Sequence, residues 1–455
     1  MLLRWMAVGI LAGCSVVSAA DDSLNVPPVP GVHELAGRGR ALLAGGRVRE
    51  AERIARQALP SGGDEMLVLW GEILFRRGNF CEAGKAFQQA IEINPQNARG
   101  WWGLGRIEEL EFRRERARDL FARAHRLDSR DTDIMLSHLD GVADPASRAL
   151  LLRNVIALSR TSDPERAEQA AAQLEIDRRL AGRPRARLVS GYRAYRIPLG
   201  GYHPSGATQN GLTVTVRVNG GRSLHLVLDT GARGILIEGR AAKGLELRPV
   251  VESRIGGFGE SHGGDSHLML ARSLDIGEMA FEDCLIQVGA AGGTPGADGI
   301  LGTGLFEAFR MRVDPHAHAM DLTPPFDGAT SPAPARVVGL KNLILMKTTA
   351  LGRDGWFLLD TGASFSSVAR ELAPGRDNGD ASIVGVRGVL SGAFRMGPLS
   401  LSAGGRTLVD LAPVSMDLTT LSRREGVEIS GVLGYSALGV RPFTVDFRHG
   451  TVVFE

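Results

Sequence analysis

Asp-Thr-Gly occurs twice in this chain, in "LVLDTGARGI" (226–235) and again 131 positions later in "FLLDTGASFS" (357–366). Each copy follows a short apolar run, so each places one carboxyl, Asp229 or Asp360, at the end of a buried strand. Two carboxyls held at about 3 Å cannot both ionise, so such a pair keeps one proton between its members. The ionised member can take a proton from water while the protonated member donates to a carbonyl oxygen. Neither metal nor covalent intermediate is needed. Apparent pKa values would then belong to the pair and not to either residue.

The elements around the two copies repeat as well. "DGILGTGLF" begins at Asp298 and "SGVLGYSAL" at Ser430, each with two branched apolar residues ahead of a glycine, Gly302 or Gly434. Val313-Asp314 and Val445-Asp446 follow in the same order. The offsets stay at 131 to 132, so this is an internal duplication. "GLTVTVRVNG" (211–220) alternates as a half-buried strand does. The Pro- and Ala-rich stretch 323–336 is expected to tether two β lobes, 186–322 and 337–455.

The duplicated Asp-Thr-Gly with its partner apolar-apolar-Gly element resembles the aspartic proteases, retropepsin-like and pepsin-like, over residues from about 190 to 455. The resemblance implies a two-lobed, mainly-β fold in which Asp229 and Asp360 form the catalytic pair. It implies that Thr230 and Thr361 grip across the lobe interface. Gly231 and Gly362 permit close approach of the two turns. The fifth position differs between the copies, Arg233 against Ser364. A serine hydroxyl beside Asp360 would favour its ionised form, making Asp360 the more acidic member. The family also covers its substrate with a mobile hairpin. "RIGGFGESHGGDSHLML" (254–270) is the candidate flap, with Gly256, Gly257 and Phe258 at its tip. "SIVGVRGVLSGAFRM" (382–396) is its counterpart. The Ile-Gly-Gly tip is similar to retroviral flaps. The four tyrosines (192, 195, 202 and 435) all fall outside both candidates, which points away from pepsin-like specificity.

Residues from about 31 to 183 have helical spacing instead. Trp70, Gly71, Leu74, Gly78, Ala83, Phe87, Ala90 and Pro95 fit a helix pair with small residues at the contact and a proline stop. The pattern recurs at Trp101, Gly105, Ala117, Phe121 and Ala124, and more weakly at Gly39, Ala51, Ala55 and Ala58. It resembles the tetratricopeptide repeat. Two further helices are expected at 145–158 and 163–181, each behind an Asp-Pro cap. The expected fold class is therefore multidomain: an all-α helical repeat solenoid over 21–185, then the β protease. The repeats are expected either to dock a substrate or protein partner, or to act as a spacer or cap.

The first twenty residues, with Arg4, an apolar core and small residues before Asp21, have the form of a secretory leader. "LAGC" (11–14) is similar to a bacterial lipobox, which would put a lipid anchor on Cys14. The stretch ahead of it is short for that, so cleavage after Ala20 is preferred. Export to a bacterial periplasm follows from either. No later stretch has the length and apolarity of a transmembrane span. Formal net charge is +2, with no basic patch to suggest nucleic acid. Cys14, Cys81 and Cys284 form neither metal spacing nor a disulfide framework, and no cofactor or metal site is expected. The expected activity is that of an endopeptidase acting on proteins or peptides. The alternatives are a non-catalytic binding scaffold of the same fold, or an enzyme that cuts only itself.

Overall fold

The computed structural model describes residues 31–60, 62–180, 186–204, 206, 208–253, 266–289, 294–325, 335–340, 343–375, 379–385 and 388–455. The leader with Cys14, the flap residues Gly256, Gly257 and Phe258, and most of the tether lie outside these residues. The helical half comprises α1 (Val32–Ala44), α2 (Val48–Ala58), α3 (Gly63–Arg76), α4 (Phe80–Ile93), α5 (Ala98–Leu110), α6 (Arg114–Leu127), α7 (Thr132–Leu139), α8 (Pro145–Ser159) and α9 (Pro164–Leu180). Among the described residues no helix is long and apolar enough to cross a membrane.

Helix pairing follows residue size. The ring of Phe87 in α4 presses on α3 so closely that a β-carbon at Gly71 would lie 2.6 Å from it. Caps set several starts: Asn97 Oδ1 accepts from Gly100 N at 2.9 Å, and Asp144 Oδ2 from Ser147 N at 2.8 Å, with Pro145 opening α8. Helix α7, for which the sequence offered no separate signal, is capped by Asp131 through the amides of Asp133 and Ile134.

The β half repeats one arrangement twice. In the first lobe, Ser223–Asp229 pairs antiparallel with Gly211–Val218 and parallel with Gly299–Gly302, placing Asp229 opposite Gly302. Gly299–Gly302 also runs antiparallel to Ile235–Glu238. In the second lobe, Arg353–Leu359 pairs antiparallel with Leu343–Ala350 and parallel with Gly431–Leu433, which in turn runs antiparallel to Ser367–Ala369. In each lobe the apolar-apolar-Gly strand thus lies between the strand before the Asp turn and the strand after it. The strands Asp380–Gly385 and Gly388–Arg395 form an antiparallel hairpin at the expected second flap. In the first lobe the flanking strands Arg248–Ser253 and Ser266–Ile276 pair likewise. Among the described residues this half also has three short α-helices: α10 (Gly239–Ala242), α11 (Thr419–Glu425) and α12 (Tyr435–Leu438).

A six-stranded ladder joins the lobes, in the order Tyr195–Tyr202, Ala319–Thr323, Arg310–Asp314, Phe443–Asp446, Thr451–Phe454, Ala335–Leu340. Its centre is the pairing of Met311 with Val445, the repeated Val-Asp strands meeting antiparallel. Asp314 and Asp446 each accept two amides from the turn that follows, so the duplication survives in hydrogen bonding. One apolar core runs through both lobes, from Leu226 and Leu301 to Phe357 and Leu433. A second core is shared between helices α3 to α5 and the second lobe, with Phe75, Phe80 and Phe87 packed among residues such as Leu358, Leu421 and Val432.

Candidate active site

Asp229 and Asp360 stand at the ends of the equivalent strands Ser223–Asp229 and Arg353–Leu359. Buried apolar residues (Leu226 to Leu228, Phe357 to Leu359) fix both strands in the core, so the two turns emerge at the lobe junction. The structure brings the two carboxyls together, close enough for each to act on the other. Each also crosses the glycine of the opposite turn. A β-carbon at Gly231 would lie 2.5 Å from Cγ of Asp360, and one at Gly362 would lie 2.4 Å from Cγ of Asp229. Any side chain there would push the acids apart.

The threonines lock the two turns. Thr230 N donates to Thr361 Oγ1 at 3.1 Å, and Thr361 N to Thr230 Oγ1 at 3.0 Å. Each hydroxyl then donates onward to a carbonyl of the opposite strand, Thr230 to Leu359 at 2.8 Å and Thr361 to Leu228 at 2.6 Å. Both threonines are 0% exposed, so all four bonds are out of reach of solvent. The sequence supplies the hydroxyls, but the carbonyls that receive them carry no residue identity and could not be named from it.

Charge follows from this geometry. Both side chains are half-buried, and burial raises both carboxyls above the ordinary range. Asp229 is raised well above it, with the Asp360 charge and their hydrogen bond adding to burial. Asp360 is raised too, burial outweighing Asp229 and two backbone amides, which favour its ionised form. Those amides, Gly362 N at 2.9 Å and Ala363 N at 3.0 Å, meet on Oδ1 of Asp360. Gly231 N reaches Oδ1 of Asp229 at 2.7 Å.

Ser364 does not reach Asp360 as expected. Among the described residues its hydroxyl makes no hydrogen bond to Asp360. The turn instead directs its backbone carbonyl to Ser436 N at 3.1 Å. The support comes from residues the sequence reading missed. Buried Asp410 accepts from Ser366 N at 2.6 Å and from the Ser436 hydroxyl, and Ser366 Oγ accepts from Gly434 N at 3.1 Å. Tyr435 N donates to Ala363 O at 2.7 Å. The loop 434–436 therefore clasps the Asp360 turn. In the first lobe Gly302 N donates to Gly234 O at 2.9 Å in the equivalent place. Gln209 Nε2 reaches Tyr435 Oη at 2.6 Å, linking the lobes beside the site. Gly434, Tyr435 and Ser436 belong to the repeated "SGVLGYSAL" element, but no local pattern marks Asp410 or Gln209 as their partners.

Residues 71–107 match the family described as TPR repeat, and residues 214–305 match that described as aspartyl protease. Among solved structures the chain is similar to an aspartic proteinase from Irpex lacteus, at 12% identity and a TM-score of 0.35, over 57% of this chain and 96% of that one. No curated protein matches it. The chain thus joins a TPR repeat, at residues 71–107, to an aspartyl protease domain, at residues 214–305.

Proposed function

We propose that the protein is an aspartic endopeptidase that hydrolyses peptide bonds in proteins or peptides with water held between Asp229 and Asp360. The observation that carries this reading is the juxtaposition of two acids contributed by different lobes, locked turn to turn by the threonines and each raised by burial. A scaffold that only bound a partner would gain nothing from two adjoining carboxyls that must share a proton. The ionised member of the pair takes a proton from water as general base, and the member that keeps the proton donates to the carbonyl oxygen of the scissile bond. Thr230 and Thr361 hold the acids in register, and Gly231 and Gly362 leave them room. Both halves of the site come from one chain, so a monomer suffices. The Arg4-led apolar stretch ahead of Asp21 supports export of the protein.

The test is digestion of a peptide library by the pure protein across pH, with cut sites read by mass spectrometry. Cleavage is expected, blocked by a statine-type transition-state mimic and indifferent to chelators. The alkaline limb of kcat/KM should lie above the ordinary carboxyl range, because the proton on Asp229 is held more tightly than usual. Cleavage abolished by chelation, or no cleavage of any added peptide, would refute the reading.

A further inference from the structure

Two of the places where the internal duplication breaks touch each other. The first is Arg233, which stands where the second copy has Ser364. The second is α11, inserted between the strands Val414–Met416 and Gly431–Leu433. At the equivalent place in the first lobe, between Met279–Gly289 and Gly299–Gly302, no helix occurs among the described residues. Glu425, the last residue of α11, forms an ion pair with Arg233 across the lobe junction. Its side chain is 2% exposed and that of Arg233 is 42% exposed, so the carboxylate is the fixed partner and the guanidinium reaches to it. Arg424 Nε holds the other carboxylate oxygen at 2.7 Å. Gly426, at φ 78°, stops the helix directly after Glu425.

The helical domain holds α11 in turn. Arg76 of α3, itself buried, donates through Nη1 to the carbonyls of Ser422 at 2.6 Å and Arg423 at 3.4 Å. A cation on the last carbonyls of a helix is favourably placed. Glu428 N returns a bond to Arg76 O at 2.7 Å. A β-carbon at Gly426 would lie 3.9 Å from Nη2 of Arg106 in α5. The α3 and α5 side of the repeats is therefore occupied by a helix of the chain's own second lobe.

The two Asp turns also differ in what braces them. Asp410 braces the Asp360 turn from within its own lobe. Among the described residues no buried carboxylate of the first lobe does this for the Asp229 turn. Beyond the bond from Gly302 N to Gly234 O within the lobe, this turn has a side-chain brace from outside, through Arg233. We infer that Arg76, Glu425 and Arg233 form a strut by which the helical domain positions the Asp229 turn, so that this side of the repeats serves the protease half in cis. The inference rests on the reading of Asp229 as a member of the reactive pair. All three are positioning residues.

The test uses the full-length protein and two readouts. Hydrogen exchange of segment 229–236 should accelerate about tenfold in Glu425→Gln, while segment 357–365 is unchanged. Arg233→Gln approaches the pair from its exposed end and should give the same result should the buried variant fold poorly. Arg76→Gln should do so too, and an unchanged 229–236 segment there overturns the link to the helical domain. Peptide cleavage is the second readout. Glu425→Gln should lower kcat about tenfold with KM within about twofold, and the charge-exchanged R233E/E425R should recover much of the loss. Unchanged exchange at 229–236, or wild-type kcat in Glu425→Gln, overturns the strut. Absence of cleavage by the wild type would overturn the protease reading instead, and the exchange measurement would still decide this one.

Discussion

Replacement of Thr230 by valine isolates the lock between the lobes, because the two side chains are nearly equal in size. The hydroxyl of Thr230 donates to Leu359 O at 2.8 Å and accepts from Thr361 N at 3.0 Å. Thr230, Leu359 and Thr361 are all 0% exposed, so water cannot replace either bond. Each buried polar group left without a partner costs about 1–3 kcal/mol, so the two together cost about 2–6 kcal/mol. The added methyl returns on the order of 0.8 kcal/mol. Thr230→Val should therefore lose about 1–5 kcal/mol. Thr230→Ser keeps the hydroxyl and loses only a methyl, for about 1 kcal/mol. Urea unfolding followed by tryptophan fluorescence gives both values. At an ordinary buried apolar position valine would be the better replacement, and here serine should be. Thr361→Val should mirror the loss, since Thr361 holds Leu228 O and Thr230 N in the same way. A Thr230→Val protein as stable as wild type, or more stable than Thr230→Ser, would refute the proposed lock.

Three further outcomes follow from the same geometry. The carboxyl of Asp229 is raised in the folded protein, so its stabilising contribution is complete below the unfolded carboxyl pKa of about 3.9 and is lost as pH rises through the raised value. Asp229→Asn, which never ionises, should therefore melt higher than wild type at neutral pH and alike near pH 3, by calorimetry. Gly231→Ala would place a β-carbon 2.5 Å from Cγ of Asp360, and should lower kcat about a hundredfold with smaller change in KM in steady-state peptide assays. Trp356→Phe removes the indole donor to Gly78 O at 2.8 Å, at the seam where the helical and β halves share a core, and should cost about 1 kcal/mol in denaturant unfolding.

What could be read from the sequence was whatever is written in short strings. The apolar runs ending in Asp229 and Asp360 specify buried strands, and Gly71 with Phe87 specifies a tight helix pair. Asp144-Pro145 and Asp163-Pro164 specify helix starts, because capping depends on neighbouring residues alone. Contacts between distant segments were not legible. Met311 pairs with Val445 through backbone groups that any residue possesses. Glu425 is one acid among several in its stretch, and nothing local says that Arg233 will reach it. Asp410 sits in a strand whose pattern gives no hint that its side chain will hold the turn at Ser366. Phe112 shows the same limit. It leaves the end of α5 to pack against Gly339 and Gly450 of the second lobe, a contact that exists only once both halves have folded.

The central claim is that the two lobes contribute one carboxyl each to a single proton-sharing pair that performs hydrolysis. The most direct measurement is peptide cleavage by wild type, Asp229→Asn and Asp360→Asn, with folding of each checked by circular dichroism. Each variant keeps the shape of the side chain and removes one half of the acid–base function. The account predicts that either replacement alone lowers kcat by about a thousandfold or more while leaving KM near its wild-type value. A folded variant of either kind that still cleaves at a rate close to wild type would contradict it.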